Sequence, residues 1–266
     1  MARTPSIKAS LHFDHEDSLT TILDPVQQAP YIVGVDEVGY GAWAGAIVVA
    51  AVWINRQLVS DEFLKELNDS KRLSSKKRLY LCQAFIQNQT WGSYALAYVP
   101  VKDVVQGLGL QHTLQAMVQA VQCLDGYLSG VLPQPLQGLN SGSWIYWREK
   151  GASTPFRHTI QGVVVDGRHG LPAKWVQKSC PGGDGQSYSV ALASILAKVA
   201  RDENMNELHQ ENPVYSWNKN KGYGTQAHQK SIAQYGLSQQ HRPFYCKRAI
   251  AEGLSENVYP KGEMGI

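Results

Sequence analysis

The sequence predicts an α/β domain built on a mixed sheet, and three observations carry that prediction. Tyr31-Ile32-Val33-Gly34-Val35 and Thr159-Ile160-Gln161-Gly162-Val163-Val164-Val165 have the apolar, β-branched character of buried strands. Each run ends in acid and a glycine turn: Asp36-Glu37 before Gly39-Tyr40-Gly41, and Asp166-Gly167. Helical periodicity separates and follows the two runs.

Taken in order, residues 1–29 are polar and irregular and read as a loosely attached arm. Ile47–Ile54 reads as a second strand, joined to the first by a short Gly/Ala-rich turn that fits a hairpin. Ser74 is placed to cap a basic helix through Lys76, Lys77 and Arg78, and Tyr94–Val99 is a third strand. Leu110, Leu114, Met117, Val118 and Val121 share one helical face. Residues 133–158 turn to Pro, Gly, Ser and Asn and read as a surface insertion. Leu192, Ile195, Leu196 and Val199 mark a helix running to about Asn206. The first three strands can form a meander. If the strand ending at Asp166 lies parallel beside the first, Asp36 and Asp166 reach the same sheet edge.

The bulk properties narrow the function classes. A net charge of +3 permits an anionic partner without demanding one. Cys82, Cys123, Cys180 and Cys246 are scattered with no C-x-x-C pair, which favours reduced thiols over a disulfide framework or a zinc site. No apolar stretch is long enough for a bilayer, and the acidic residues among 1–29 do not resemble a signal peptide. A cytoplasmic monomer without a membrane partner is the expectation.

Four acids are candidates for chemistry: Asp36, Glu37, Asp166 and Asp184. Singly, Asp166-Gly167 and Gly182-Gly183-Asp184-Gly185 have ordinary readings as turns or caps. Asp36-Glu37 lies within the apolar pattern, where burial of an uncompensated carboxylate is costly. Converging carboxylates cannot all ionise comfortably without a cation, and an oxygen-only set suits Mg²⁺ or Mn²⁺. Such ions commonly act in pairs on phosphate esters.

The basic residues fit the same substrate class. Asp69-Ser70-Lys71-Arg72-Leu73-Ser74-Ser75-Lys76-Lys77-Arg78 concentrates cations around a helix start, although a solvated helix face is the plainer reading. Lys198 and Arg201 follow Asp184 on a helix, and Arg201 reads equally well as an ion pair with Asp202 or Glu203. Tyr223, flanked by glycines in a basic loop, could stack on a sugar or base, or simply pack its loop on the core. His228 and His241 are given no primary role.

In order, Val35-Asp36-Glu37-Val38-Gly39-x-Gly41, Leu67-Asn68-Asp69-Ser70-Lys71-Arg72-Leu73-Ser74, Val165-Asp166-Gly167, Gly183-Asp184, Ala193–Asp202, Lys221-Gly222-Tyr223-Gly224-Thr225 and His241-Arg242 resemble the type 2 ribonucleases H, or ribonucleases HII. The resemblance covers roughly residues 30–250. It implies a ribonuclease H-like fold: a mixed five-stranded sheet flanked by helices over residues 30–210, with a helical, substrate-binding C-terminal extension over 211–266. It also implies metal-dependent cleavage of RNA paired to DNA, and cleavage 5′ of ribonucleotides embedded in duplex DNA, leaving 3′-hydroxyl and 5′-phosphate ends. By resemblance Asp36 is the central metal ligand, completed by Glu37, Asp166 and Asp184. Tyr223 would pack beside the RNA–DNA junction, Ser70, Lys71 and Lys198 would meet the backbone, and Gly39-Tyr40-Gly41 would approach the ribose.

The family usually has Gly-Arg-Gly-Pro where this chain has Gly39-Tyr40-Gly41-Ala42. Both glycines remain, the planar cation is lost, and Tyr40 and Trp43 add stacking surface. The change bears on junction discrimination and leaves the acids untouched. Related type 3 enzymes also lack this arginine but carry an N-terminal substrate-binding domain, for which residues 1–29 leave no room. Altered substrate choice and a non-catalytic nucleic-acid-binding module remain alternatives. A pure binder would gain nothing from a repulsive acid cluster.

Overall fold

The computed structural model describes residues 11–20, 31–105, 108–129, 145–147 and 159–246. Helix α1 (Asp14–Thr20) precedes strand β1 (Tyr31–Val38) and strand β2 (Ile47–Ile54). Helices α2 (Asp61–Glu66) and α3 (Ser75–Gln87) lead to β3 (Gly92–Val99), then α4 (Val101–Val105) and α5 (Gly109–Leu128). After β4 (Ile145–Trp147) come β5 (Ile160–Asp166), β6 (Val176–Cys180) and α6 (Tyr188–Glu211). Short α7 (Trp217–Asn220) and α8 (Gln226–Tyr235) belong to the C-terminal part.

The sheet runs β4-β3-β2-β1-β5-β6. β1, β2 and β3 form the antiparallel meander, and β5 and β6 add in parallel to β1. The five long strands match the expected sheet. The sixth, β4, is a three-residue edge strand paired with Ala95–Ala97, inside the segment read as an irregular insertion. Val176–Cys180 was not legible as a strand because its Gln, Lys and Ser lack both apolar continuity and strict alternation.

Strand alternation sorts the core into two layers. Val33, Val35, Val49, Ala51, Val163 and Val165 face α5, against Met117, Val121 and Leu124. Val48, Ala50, Val52 and Leu96 face α3 and α6, against Leu81, Phe85, Leu192 and Ile195. Gly34 lets α6 close onto β1, since a Cβ there would overlap the backbone of Ser189 and Val190. Ser74 caps α3 by accepting from the Lys77 N–H, as expected.

The expected arm contains structure. On α1, Leu19 is buried, and the buried Glu16 accepts hydrogen bonds from the hydroxyls of Ser187 and Ser189 at the start of α6. The segment reads as polar because its one carboxylate is consumed by a helix cap and its apolar contact is a single residue wide. All four cysteines are free and buried. Among the described residues no helix is long and apolar enough to cross a membrane.

Candidate active site

β1 and β5 are parallel with Val35 opposite Val165, so the next residues, Asp36 and Asp166, leave the sheet side by side. Alternation then splits the acidic pair. Asp36 lies on the α6 face, and Glu37 turns to the α5 face, where it borders a groove with Leu110, Leu114 and Met117. Asp184 sits in the turn Gly183–Gly185 that opens α6. That turn is tied to β5, because the Gly183 N–H donates to Asp166 Oδ1 at 2.7 Å.

The acids raise one another's proton affinity. Asp36 is pushed well above the ordinary carboxylate range by burial, then by the charges of Glu37 and Asp166. Hydrogen bonds from the Ser194 side chain and the Glu37 N–H oppose that shift, the latter at 2.7 Å. Glu37 is raised to about 7 by burial and by Asp166, against partial relief from Lys71. Asp184 is raised by burial even though the Lys71 ammonium lies 3.2 Å from its Oδ2. Among the described residues no group of three acids, histidines or cysteines is poised to hold a metal ion with its side chains as they stand. The donor set still fits a hard divalent ion: it is oxygen-only, and its raised proton affinities register a shortage of positive charge.

The other expected site residues divide. Lys71 reaches the acids with a largely exposed side chain, 81% accessible. Ser70 does not face outward. It is buried, with its hydroxyl 2.9 Å from that of Ser194, so a direct substrate contact is excluded by its position behind Asp36. Lys198 is held by Asp202 at 2.6 Å, so reaching a phosphate would require displacing that carboxylate. Tyr223 is 38% exposed, with the Arg201 guanidinium 5.3 Å from its ring centre.

Two buried arginines shape the 39–45 loop. Arg242 Nη1 donates to the carbonyls of Gly39, Tyr40 and Ala42 at 2.7, 2.9 and 2.9 Å, and its Nε donates to Gly45. Arg201 donates to the carbonyls of Ala44, Ala46 and Lys221. The expected pairing of Arg201 with an acid is therefore replaced by carbonyl contacts, and Asp202 pairs instead with Lys198 and Arg78. Gly39, at φ 97°, is obligatory, since a Cβ would overlap the Arg201 side chain. At Gly41 a Cβ would meet nothing within 4 Å, so the missing side chain leaves open approach to the loop.

The comparisons with known proteins agree with this geometry. The family model described as Ribonuclease HII matches residues 33–132 and 163–248. The chain belongs to the ribonuclease HII family. The ribonuclease HII of Ehrlichia chaffeensis is 38% identical over 225 residues, spanning 85% of this chain and 88% of that protein. Among solved structures, ribonuclease H2 from Pyrococcus horikoshii superposes with TM-score 0.57 at 19% identity, covering 82% of this chain and 96% of its own. Bst-RNase HIII in complex with Mn²⁺ gives TM-score 0.53 at 16% identity, covering 85% and 71%. These last two establish the likeness of fold.

Within this ribonuclease HII framework, three residues carry roles that sequence reasoning did not assign. Ser194 links Asp36 to Ser70, and its one signal was a hydroxyl on an otherwise apolar helix face. Arg201 and Arg242 act on backbone carbonyls more than 150 residues away along the chain for the 39–46 contacts, and composition contains no trace of such pairing. His228 and His241 form a buried pair, Nε2 to Nε2 at 3.1 Å, with the Trp217 indole N–H donating to His228. Burial, then the His228 charge, pulls His241 down to about 3, which suits a neutral structural pair.

Proposed function

We propose that this enzyme is a metal-dependent endoribonuclease that cleaves the RNA strand of RNA/DNA hybrids. On this reading it also cuts 5′ of ribonucleotides embedded in duplex DNA, leaving 3′-hydroxyl and 5′-phosphate ends. The observation that carries the reading is the parallel register of β1 and β5, which sets Asp36 beside Asp166 with Glu37 and Asp184 in electrostatic range. Asp36, Glu37, Asp166 and Asp184 would hold Mg²⁺ or Mn²⁺. When bound, a pair of such ions supplies an activated water and stabilises the leaving oxygen.

The protein's own groups position the substrate. Lys71 shields Asp184 and offers its ammonium to a backbone phosphate. Gly39, Tyr40 and Gly41 are held rigidly by Arg242, so their outer face meets the ribose in one conformation. Tyr223, braced by Arg201, offers a ring to the sugar beside the junction. The enzyme is proposed to act as a cytoplasmic monomer.

The test uses Mg²⁺ or Mn²⁺ with three duplexes: one carrying a single ribonucleotide, one an RNA–DNA hybrid, and one DNA only. Cutting 5′ to the ribonucleotide, lost in Asp36→Asn with folding spared, supports the assignment. Comparable cutting of DNA alone indicates altered specificity, the alternative that Tyr40 favours. Binding without metal-dependent cutting of any duplex overturns catalysis.

A further inference from the structure

The groove on the α5 side of the acids has no assigned role. It encloses about 230 Å³ and is lined by Glu37 and Asp166 at one end, Tyr40 on one wall, Leu110, Leu114 and Met117 along α5, and Arg168 and His169 at its mouth. Its aromatic wall is fixed. The Tyr40 hydroxyl bonds to Tyr245, and the ring edge lies 3.9 Å from where a Cβ on Gly109 would stand, yet 38% of Tyr40 stays exposed. Gly167 turns at φ 90° and leaves Arg168 and His169 exposed, with no carboxylate partner among the described residues. An aromatic face, an apolar floor and unpaired cationic or hydrogen-bonding groups, continuous with a carboxylate site, match the chemistry of one nucleotide unit.

We infer that this groove is a nucleoside subsite. It takes the nucleotide adjoining the scissile phosphate, with its base against Tyr40 and the Leu110–Leu114–Met117 face, and its outer phosphate on Arg168. The inference rests on the phosphodiester-cleavage reading and adds a site that selects for a base next to the cut. It gives Tyr40 a task that an arginine at that position would not perform: a planar neutral ring, tethered by its hydroxyl, presents stacking surface with little entropy left to lose.

The experiment crosses protein variants with substrate variants. Duplexes with one ribonucleotide carry either a normal neighbour or an abasic tetrahydrofuran residue on its 5′ or its 3′ side. Affinity is read by fluorescence anisotropy in Ca²⁺, and cleavage in Mg²⁺. The native enzyme should bind one of the two abasic duplexes about tenfold more weakly, the scale of one base–aromatic stack. Tyr40→Ala should show the same loss on the normal duplex and no further loss on the abasic one. Tyr40→Phe, which keeps the ring, should retain the base dependence. Arg168→Gln should lower the slope of log affinity against log salt by about one. Additive losses for Tyr40→Ala and the abasic residue, or no loss on either abasic duplex, overturn the subsite. Normal cleavage without that coupling removes the subsite alone, whereas coupling without cleavage removes only the nuclease reading.

Discussion

At the scale of single residues, the decisive fact is that two adjacent acids serve opposite faces of one strand. Asp36 meets Ser194 and α6, whereas Glu37 meets the groove along α5. The adjacency of Asp36 and Glu37 was legible in the sequence, and period-two geometry makes their divergence inevitable once β1 is buried on both faces. Glu37 makes a testable prediction. Its proton affinity is raised from 4.5 to about 7, so the folded, metal-free protein holds this proton more tightly than the unfolded chain. That contribution to stability is fully present below pH 4.5 and is lost as pH rises through about 7. Thermal melts in chelator should therefore show a falling contribution across this window, and Glu37→Gln should flatten it. An unchanged slope in the variant would remove Glu37 as its source.

At the scale of elements, the 39–46 loop shows what lies beyond one-dimensional reading. The sequence suggests a simple hairpin turn between β1 and β2, yet the loop is bound to distant backbone. Trp43 and Ala44 donate to the Gly222 carbonyl, and Gly45 donates to that of Gln240. Arg242 closes the arrangement through four carbonyls. Its dependence on main-chain acceptors explains why no side-chain pattern could announce it, although His241-Arg242 was visible as a motif. Arg242→Met should destabilise the protein by roughly 3 kcal/mol or more in denaturant titration, because several buried carbonyls lose a donor at about 1–3 kcal/mol each. Arg242→Lys, retaining a cation and some donors, should recover part of that loss. Equal stability of both variants and the native protein would show that the carbonyls find other partners.

At the scale of the whole molecule, the acid cluster sits where three separately encoded pieces meet: β1, β5 and the turn before α6. The expected five strands, their meander and the parallel return of β5 were readable from apolar runs and their order. Strand β6, the edge strand β4 and the docking of α1 were not, because polar or short segments acquire their structure from neighbours. A molecule built around mutually repelling carboxylates should gain stability from the ion it lacks. Mn²⁺ at about a hundred times its Kd should stabilise the native protein by about 2.7 kcal/mol, and Asp36→Asn should abolish most of that gain. A metal-induced shift of the melting temperature that survives Asp36→Asn would place the ion elsewhere.

By itself the sequence determined the opening acidic pair, the order of the strands and the family, because those reside in local composition and in motifs that keep their order. Tertiary structure alone decided that Ser70 stands behind Asp36 and that Lys198 is held by Asp202. It also decided that two buried arginines hold the glycine turn and that Tyr40 walls a groove. The physical reason is common to all four: each depends on which face a side chain occupies and on partners remote in sequence. Those quantities exist only once the sheet has formed and α5 and α6 have packed against its two sides.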